Sequence, residues 1–211
     1  MSEHHHHHEG HEPAPQPHSQ AEWDARYAEK DRLWSGNPNA QLVHEVTGLE
    51  PGRALDVGCG EGGDALWLAA QGWQVTGADI SAVAVERARS HDPGNRVTWV
   101  HVDYRHERPE PNAYDLVNMQ YFAMRREPGD PSLKALIAAT APGGTLLAVH
   151  HDPAELGHIP DVADYYFPAD VARLLGTGWT IEVDEVRDRR SVAPSGAHHT
   201  KDVVLKAVRS L

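Results

Sequence analysis

The 211-residue sequence has one cysteine, Cys59, two phenylalanines, and 19 lysines and arginines against 31 acids. A single cysteine excludes an intramolecular disulfide and fits a reducing compartment. A formal net charge of -12 leaves no broad basic surface, so the electrostatic footprint of nucleic-acid binding is missing. No apolar run approaches the roughly 20 residues that span a bilayer. The N-terminus is polar from its first residue, so no secretory signal is visible. The expectation is a cytoplasmic protein with neither nucleic acid nor membrane as partner. The length suits one domain with a full core and leaves little room for a second.

Residues 1–20 stand apart. They hold His4 to His8, His11, His18, Pro13, Pro15 and Pro17, with almost nothing apolar to bury. Such a segment is expected to be disordered. An expression tag, a natural metal-binding tail and an inert leader all fit it. The folded domain is expected over residues 21–211.

There the pattern alternates. An amphipathic helix is expected from Trp23 to Trp34 and another from Asn39 to Gly48, before the Pro51-Gly52 turn. Strands follow at 54–57, 74–78, 96–102, 114–119 and 145–150, separated by helices at 64–70, 81–90 and 131–140. Pro142-Gly143-Gly144 is read as the stop of the last of these helices. A helix at 168–175 precedes two strands, 180–187 and 201–209, with no helix between them. Strands alternating with helices make a doubly wound, mostly parallel α/β sheet of the Rossmann-like kind. The final pair makes an antiparallel hairpin at one end of it.

Gly58, Gly60 and Gly63 spell G-x-G-x-x-G between the first strand and its helix, the context in which the motif holds a ligand. The spacing alone fits a dinucleotide as well as S-adenosylmethionine. Asp56, two residues before the first glycine, favours the second. A carboxylate there repels a pyrophosphate but suits an ammonium and a sulfonium. Asp79 closes the second strand, where it can accept two ribose hydroxyls. Asp103 closes the third, where it can accept an adenine amino group. Three acids at three successive strand ends share the edge of the sheet where such folds bind ligands. A dehydrogenase would also usually need a second, substrate-binding domain.

The sequence resembles the class I S-adenosylmethionine-dependent methyltransferases. The resemblance rests on Leu55-Asp56-Val57-Gly58-Cys59-Gly60-Glu61-Gly62, on Gly77-Ala78-Asp79-Ile80-Ser81, on Asp103 and on Pro142-Gly143-Gly144-Thr145-Leu146. The lead-in Trp23-Asp24-Ala25-Arg26-Tyr27, followed by Trp34, is similar to small bacterial members near the tellurite-resistance and thiopurine methyltransferase groups. The resemblance implies a seven-stranded sheet whose last strand is antiparallel. It also implies that Gly58 and Gly60 approach the methionine portion of the cofactor, with Asp56 and Cys59 of the same loop counted among the cofactor-binding residues. Asp79 would hold the ribose, Ile80 would pack on the adenine, and Asp103 and Tyr104 would bound its edge. Gln120 would lie beneath the cofactor and Trp34 would cover it.

The fifth strand ends in His150-His151-Asp152. Alternation sends the two histidines to opposite faces, so one faces the acceptor and the other packs or meets solvent. His151 is the expected general base for a hydroxyl acceptor, supported by Asp152 or His150, since histidine titrates near neutral pH. A soft anion such as a thiolate, selenide or telluride would need no base. A metal reading gathers His150, His151, Asp152 and His158 with His198 and His199, or binds magnesium through Asp152. It ranks below the base, because adjacent histidines do not easily share one ion.

Tyr121, Phe122 and Met124 after the fourth strand, and Tyr165, Tyr166 and Phe167 after the fifth, sit where pocket walls belong. They serve equally well as loop anchors. Tyr27 and Trp34 form a candidate lid, and Arg125-Arg126 is either an anion site or a solvated pair. The acceptor set is then Tyr27, Tyr121, Tyr165 and Tyr166, and the acceptor a small molecule. A neutral hydroxyl, as on a sugar or similar metabolite, suits the histidines better than tellurite or a thiopurine does. A non-catalytic, metal-binding protein worked by its histidine-rich tail is the alternative of another class.

Overall fold

In the computed structural model, residues 17–157, 159–189 and 199–211 are described. His4 to His8, His11, His158 and His198, with the tail and metal readings that rest on them, lie outside these residues.

Helix α1 runs Gln20–Ala28 and starts earlier than its apolar pattern suggests, because Ser19 and Glu22 form a reciprocal capping box. It also ends earlier. Residues 29–39 are non-helical, for a reason that becomes visible at the glycine loop. Helix α2 is Ala40–Val46. The alternation then follows as β1 Arg53–Val57, α3 Gly63–Ala70, β2 Gln74–Asp79, α4 Ala82–Ser90, β3 Val97–His101, β4 Tyr114–Gln120, α5 Pro131–Ala138, β5 Thr140–His151, α6 Pro168–Leu174, β6 Trp179–Asp188 and β7 Lys201–Arg209. Short 3-10 turns cover Pro153–Glu155 and Val162–Asp164.

The seven strands form one sheet in the order β3-β2-β1-β4-β5-β7-β6. β1 to β5 pair in parallel, and β7 runs antiparallel to both β5 and β6. The C-terminal hairpin therefore inserts its second strand between β5 and the edge strand β6. Strand order reverses between β1 and β4, which opens the crevice outside their C-terminal ends where such sheets bind ligands.

Alternation along the strands divides the core. Leu55, Val57, Met119, Leu146 and Ala148 pack with Leu133, Leu136 and Ile137 of α5 and Val171 of α6. Ala54, Leu116, Leu147 and Val149 pack on the other face with Leu42 and Val46 of α2 and Ala65 and Leu68 of α3.

One boundary differs from expectation for a local reason. Pro142-Gly143-Gly144 does not stop α5; it lies inside β5. The pairing with β4 jumps from Tyr114↔Thr140 to Leu116↔Thr145, so the extra residues bulge out of the ladder. Gly143 takes φ +78°, and a Cβ on Gly144 would sit 2.9 Å from the Ala141 carbonyl oxygen. The glycines read as a helix stop are bulge residues.

Candidate active site

The glycine loop begins where β1 ends. Gly58, Gly60 and Gly62 all hold positive φ, at +69°, +53° and +88°. An L side chain rarely adopts this geometry. The Gly58 and Cys59 amides both donate to the Ala78 carbonyl of β2 (2.8 and 3.0 Å). The turn is thus pinned to the neighbouring strand end, and a Cβ on Gly58 would meet nothing within 4 Å. That open face lies next to the strand-order reversal and leaves room for a ligand to approach the backbone.

Asp79 faces the same loop. Its carboxylate accepts from the Gly60 amide and the Ser81 amide, each at 2.8 Å. Burial raises its pKa, and these two donors oppose the shift. A carboxylate offers about four lone-pair sites, so two remain for further donors such as ribose hydroxyls. Ile80 follows on the loop, its carbonyl 3.0 Å from His101 Nε2. Asp103 lies two residues beyond the end of β3 rather than at it. Both its oxygens are engaged by Arg105, through Nε (3.0 and 3.2 Å) and Nη2 (2.6 Å). Burial pushes the Asp103 carboxyl up, but the Arg105 hydrogen bonds prevail and hold it below the usual carboxylate range. Tyr104 packs half-buried against the core, and burial raises its hydroxyl pKa.

Asp56 points away from solvent at the end of β1. Its Oδ1 accepts from Asn118 Nδ2 (2.7 Å), and Asn118 Oδ1 accepts in turn from Gln120 Nε2 (2.8 Å). Burial, then the nearby charge of Asp64, pushes the Asp56 carboxyl well above its usual value. Among the described residues, Asp56 Oδ2 and Gln120 Oε1 are buried oxygens with no hydrogen-bond partner. Unsatisfied buried acceptors are expensive, and both sit on β1 and β4, the strands flanking the crevice. An ammonium-bearing ligand fits that donor deficit and a pyrophosphate does not.

The loop is covered by the segment after α1. Tyr27, 3% exposed, accepts through its hydroxyl from Trp34 Nε1 at 3.0 Å. A Cβ on Gly60 would lie 3.0 Å from that hydroxyl and 3.4 Å from Trp34 Cδ1. Tyr27 and Trp34 therefore lie against the glycine loop, and Trp34 stands on a bend after α1, not on a helix. Asp24 of α1 also reaches across, accepting from Ser81 Oγ (2.6 Å) and the Val83 amide (3.2 Å) at the start of α4.

At the end of β5 the two histidines take opposite faces. His150 packs edge-on against Phe167, ring centroids 4.4 Å apart, and near Phe122 at 6.3 Å. Burial in this aromatic box, then the neighbouring His151, lowers its pKa to about 4. His151 lies between Tyr121 and His199, at 4.5 and 4.6 Å. Its Nδ1 is 3.8 Å from Asp202 Oδ1 and 3.3 Å from Arg189 Nη1. Asp202, 1% exposed, accepts from the Tyr121 hydroxyl at 3.0 Å. Burial raises the Asp202 carboxyl, but His151, Tyr121 and Arg189 together hold it below the usual range.

Three sequence-expected residues sit elsewhere. Asp152 caps the Pro153–Glu155 turn by accepting from the Ala154 amide. Tyr166 is fully buried, accepting from the Glu127 amide and donating to Asp130. Tyr165 is 5% exposed, bridged to Arg125 through the backbone and packed with Leu156 and Phe167. The latter two anchor loops. Asp202 was not foreseen, yet it had a signal: alternation along β7 puts it on the face of buried Val204, directly across from His151.

Among the described residues, no three histidines, cysteines or acids converge as metal ligands. No described helix is long and apolar enough to cross a membrane. A small hollow between Val46–Leu49, Pro51, Trp67 and Trp73 lies at the opposite end of α3 from the glycine loop and contains no titratable side chain.

Residues 54–144, from β1 into β5, match the methyltransferase domain family. Over 193 residues the chain is 31% identical to a ubiquinone biosynthesis O-methyltransferase of Xanthomonas campestris pv. campestris, covering 86% of this chain and 69% of that protein. The chain belongs to the S-adenosylmethionine-dependent methyltransferases. A ribosomal RNA small subunit methyltransferase C of Alcanivorax borkumensis is 56% identical over 36 residues, which span 17% of this chain and 11% of that protein. Two solved structures share the fold. One, described as concerning conversion of a disulfide bond into a thioacetal group during echinomycin biosynthesis, has a TM-score of 0.70 at 23% identity and covers 90% of this chain and 92% of its own. The other is magnesium protoporphyrin IX methyltransferase of Synechocystis PCC 6803 with bound S-adenosylmethionine, with a TM-score of 0.56 at 23% identity over 81% and 76% of the two chains. The methyltransferase is thus an enzyme built on the class I fold, and S-adenosylmethionine is its cofactor.

Proposed function

We propose that this methyltransferase transfers the methyl group to a hydroxyl oxygen of a small-molecule acceptor, with His151 as general base. The observation that carries the reading is Asp202 beside His151 at the catalytic edge of the sheet. The relative named as an O-methyltransferase supports oxygen as the receiving atom. When bound, S-adenosylmethionine supplies an electrophilic methyl group. Open backbone at Gly58, beside Cys59, with the buried oxygens of Asp56 and Gln120 would receive its amino-acid end. Asp79 would take the ribose, and Ile80, Asp103 and Tyr104 the adenine. Tyr27 and Trp34 would cover the cofactor from the glycine-loop side.

His151 then works on the acceptor. For Nε2 to accept the hydroxyl proton, Nδ1 must carry the proton and turn it to Asp202, 3.8 Å away, which requires the Arg189 guanidinium, 3.3 Å from Nδ1, to swing off that nitrogen. As the imidazolium forms, the carboxylate stabilises it, and the Tyr121 hydroxyl and Gln41 keep that carboxylate oriented (3.0 and 3.4 Å). His150, held neutral by its aromatic box, adds no positive charge beside a sulfonium.

The test combines calorimetry with an acceptor panel. Wild-type protein and His151→Ala are titrated with S-adenosylmethionine, then assayed for S-adenosylhomocysteine release with phenols, sugars and thiols. The reading expects hydroxyl acceptors to be turned over, and His151→Ala to bind the cofactor normally while losing about 10²–10⁴-fold in kcat. Turnover of thiols only, or a rate unaffected by His151→Ala at every pH, overturns it in favour of transfer to sulfur, selenium or tellurium without a base.

A further inference from the structure

Glu61 is an acid in the glycine loop that is not available to the cofactor. It is 3% exposed, and both carboxylate oxygens are taken. Oε1 accepts from the Leu33 amide (3.2 Å) and from Arg87 Nη1 of α4 (3.1 Å); Oε2 accepts from the Leu33 and Trp34 amides (3.1 and 2.9 Å). A carboxylate bound to two successive backbone amides fixes the direction of the chain that carries them. Here that chain is the strap between α1 and α2, and the next atoms along it are the Trp34 indole, which lies over Gly60.

The same strap is held again one turn later. Asp64, at the start of α3, accepts from the Asn39 amide (2.6 Å) and side chain (2.8 Å). Gly63 has no room for a Cβ, which would sit 2.9 Å from the Asn37 carbonyl oxygen. The backbone of the strap thus lies directly on the backbone of the loop. This explains why α1 stops at Ala28: the following residues leave the helix in a series of bends that bring the Leu33, Trp34 and Asn39 amides to Glu61 and Asp64.

We infer that Glu61 is a positioning residue, a latch that clamps the Leu33–Trp34 strap onto the glycine loop so that Trp34 and Tyr27 close over the bound cofactor. The inference rests on the cofactor lying against Gly58 to Gly60. Charge-assisted bonds to backbone amides are about twice as strong as neutral ones, and Arg87, 3.1 Å from Oε1, keeps the carboxylate aimed. Because Glu61 is saturated by these four contacts, it acts on the cofactor through Trp34 rather than by touching it.

The test uses the full chain with Glu61→Ala and Glu61→Gln, alone and combined with Trp34→Ala. In cofactor-free protein, hydrogen–deuterium exchange at the Leu33 and Trp34 amides reads the latch directly. Exchange there is expected to rise at least tenfold in Glu61→Ala, with little change in the β1 and β4 amides. The dissociation constant for S-adenosylhomocysteine is expected to rise tenfold or more, and KM for S-adenosylmethionine with it, while kcat at saturation falls less than threefold. Glu61→Gln keeps the side-chain volume and an acceptor oxygen, so it should fold like the wild type and lie between the two. In a Trp34→Ala background, Glu61→Ala should weaken binding less than twofold further. Unchanged exchange at Leu33 and Trp34 in both Glu61 variants overturns the latch. So does a full additional loss of binding in the Trp34→Ala background, which would make Glu61 a support of the loop itself. If exchange rises but cofactor affinity does not change, the strap is latched without serving the cofactor, and the inference fails while the placement of the cofactor stands.

Discussion

The carboxylate of Asp202 stands 3.8 Å from Nδ1 of His151, while Asp152, the acid next to that histidine in sequence, turns away to cap a 3-10 turn. Antiparallel pairing of β5 with β7 creates the relationship by setting the two residues directly opposite each other. The acid beside the proposed base thus comes from the strand inserted by the C-terminal hairpin, and Tyr121 ties it to the loop after β4.

That arrangement predicts a graded series. Asp202→Asn leaves a neutral partner of the same shape, so the imidazolium loses its stabilising charge while His151 stays in place. We expect kcat to fall about 10- to 100-fold, less than the loss for His151→Ala. Tyr121→Phe removes one hydrogen bond to the carboxylate and should cost about tenfold or less. Steady-state kinetics with calorimetric cofactor binding separate the outcomes. Equal losses in cofactor affinity and kcat would show that Asp202 holds the fold rather than the base.

Asp79 makes a second prediction. Its two backbone contacts tie the Gly60 turn to the start of α4. Asp79→Ala frees both amides and removes the acceptor assigned to the ribose. Hydrogen bonds to a charged group are worth about 1.5–3 kcal/mol each, so affinity for S-adenosylhomocysteine should drop about 100-fold. Calorimetry at fixed pH reads this directly. An unchanged affinity would remove Asp79 from the cofactor site.

The sheet was legible because its signals are local. Alternating elements, a glycine turn after a buried strand, and acids at strand ends are all written within a few residues. What escaped was set at a distance. Asp202 became the partner of His151 only once β7 was placed next to β5. Glu61 read as an unremarkable member of the glycine motif until the strap lay against it. Trp34 was expected on a helix because Trp23, Tyr27 and Trp34 share a helical spacing, but bonds to Glu61 and Asp64 win over that weak propensity. Tyr165 and Tyr166 were given to the acceptor because of their place after β5; partners on the β4 loop bury them instead.

His150 makes stability depend on pH in a definite sense. Burial lowers its folded pKa to about 4 from the ordinary histidine value of 6.5. The unfolded chain therefore binds the extra proton between those values, and stability rises with pH across that window. The contribution is complete above about pH 6.5 and is lost as pH falls toward 4; a full shift of this size corresponds to something on the order of 3 kcal/mol. Urea unfolding between pH 4 and 7 should show this slope in the wild type, and His150→Gln should flatten it. The same slope in both proteins would mean that His150 stays protonated in its aromatic box.

Gly62 supplies the last prediction. It combines φ +88° with a site where a Cβ would lie 2.6 Å from Trp99 Cη2 and 3.2 Å from the Ala88 Cβ. The indole cannot easily retreat, because its Nε1 donates to Asp92 at 3.3 Å. Gly62→Ala therefore meets two costs, left-handed backbone at about 1 kcal/mol and overpacking at about 1–3 kcal/mol. Gly129 separates them: its φ is +80°, but a Cβ there would meet nothing within 4 Å. Urea midpoints should show Gly129→Ala destabilised by only about 1 kcal/mol and Gly62→Ala by about 2–4 kcal/mol, with the larger loss relieved by Trp99→Leu. Equal losses at the two glycines would leave backbone strain as the sole cost and free Trp99 from any role in shaping the loop.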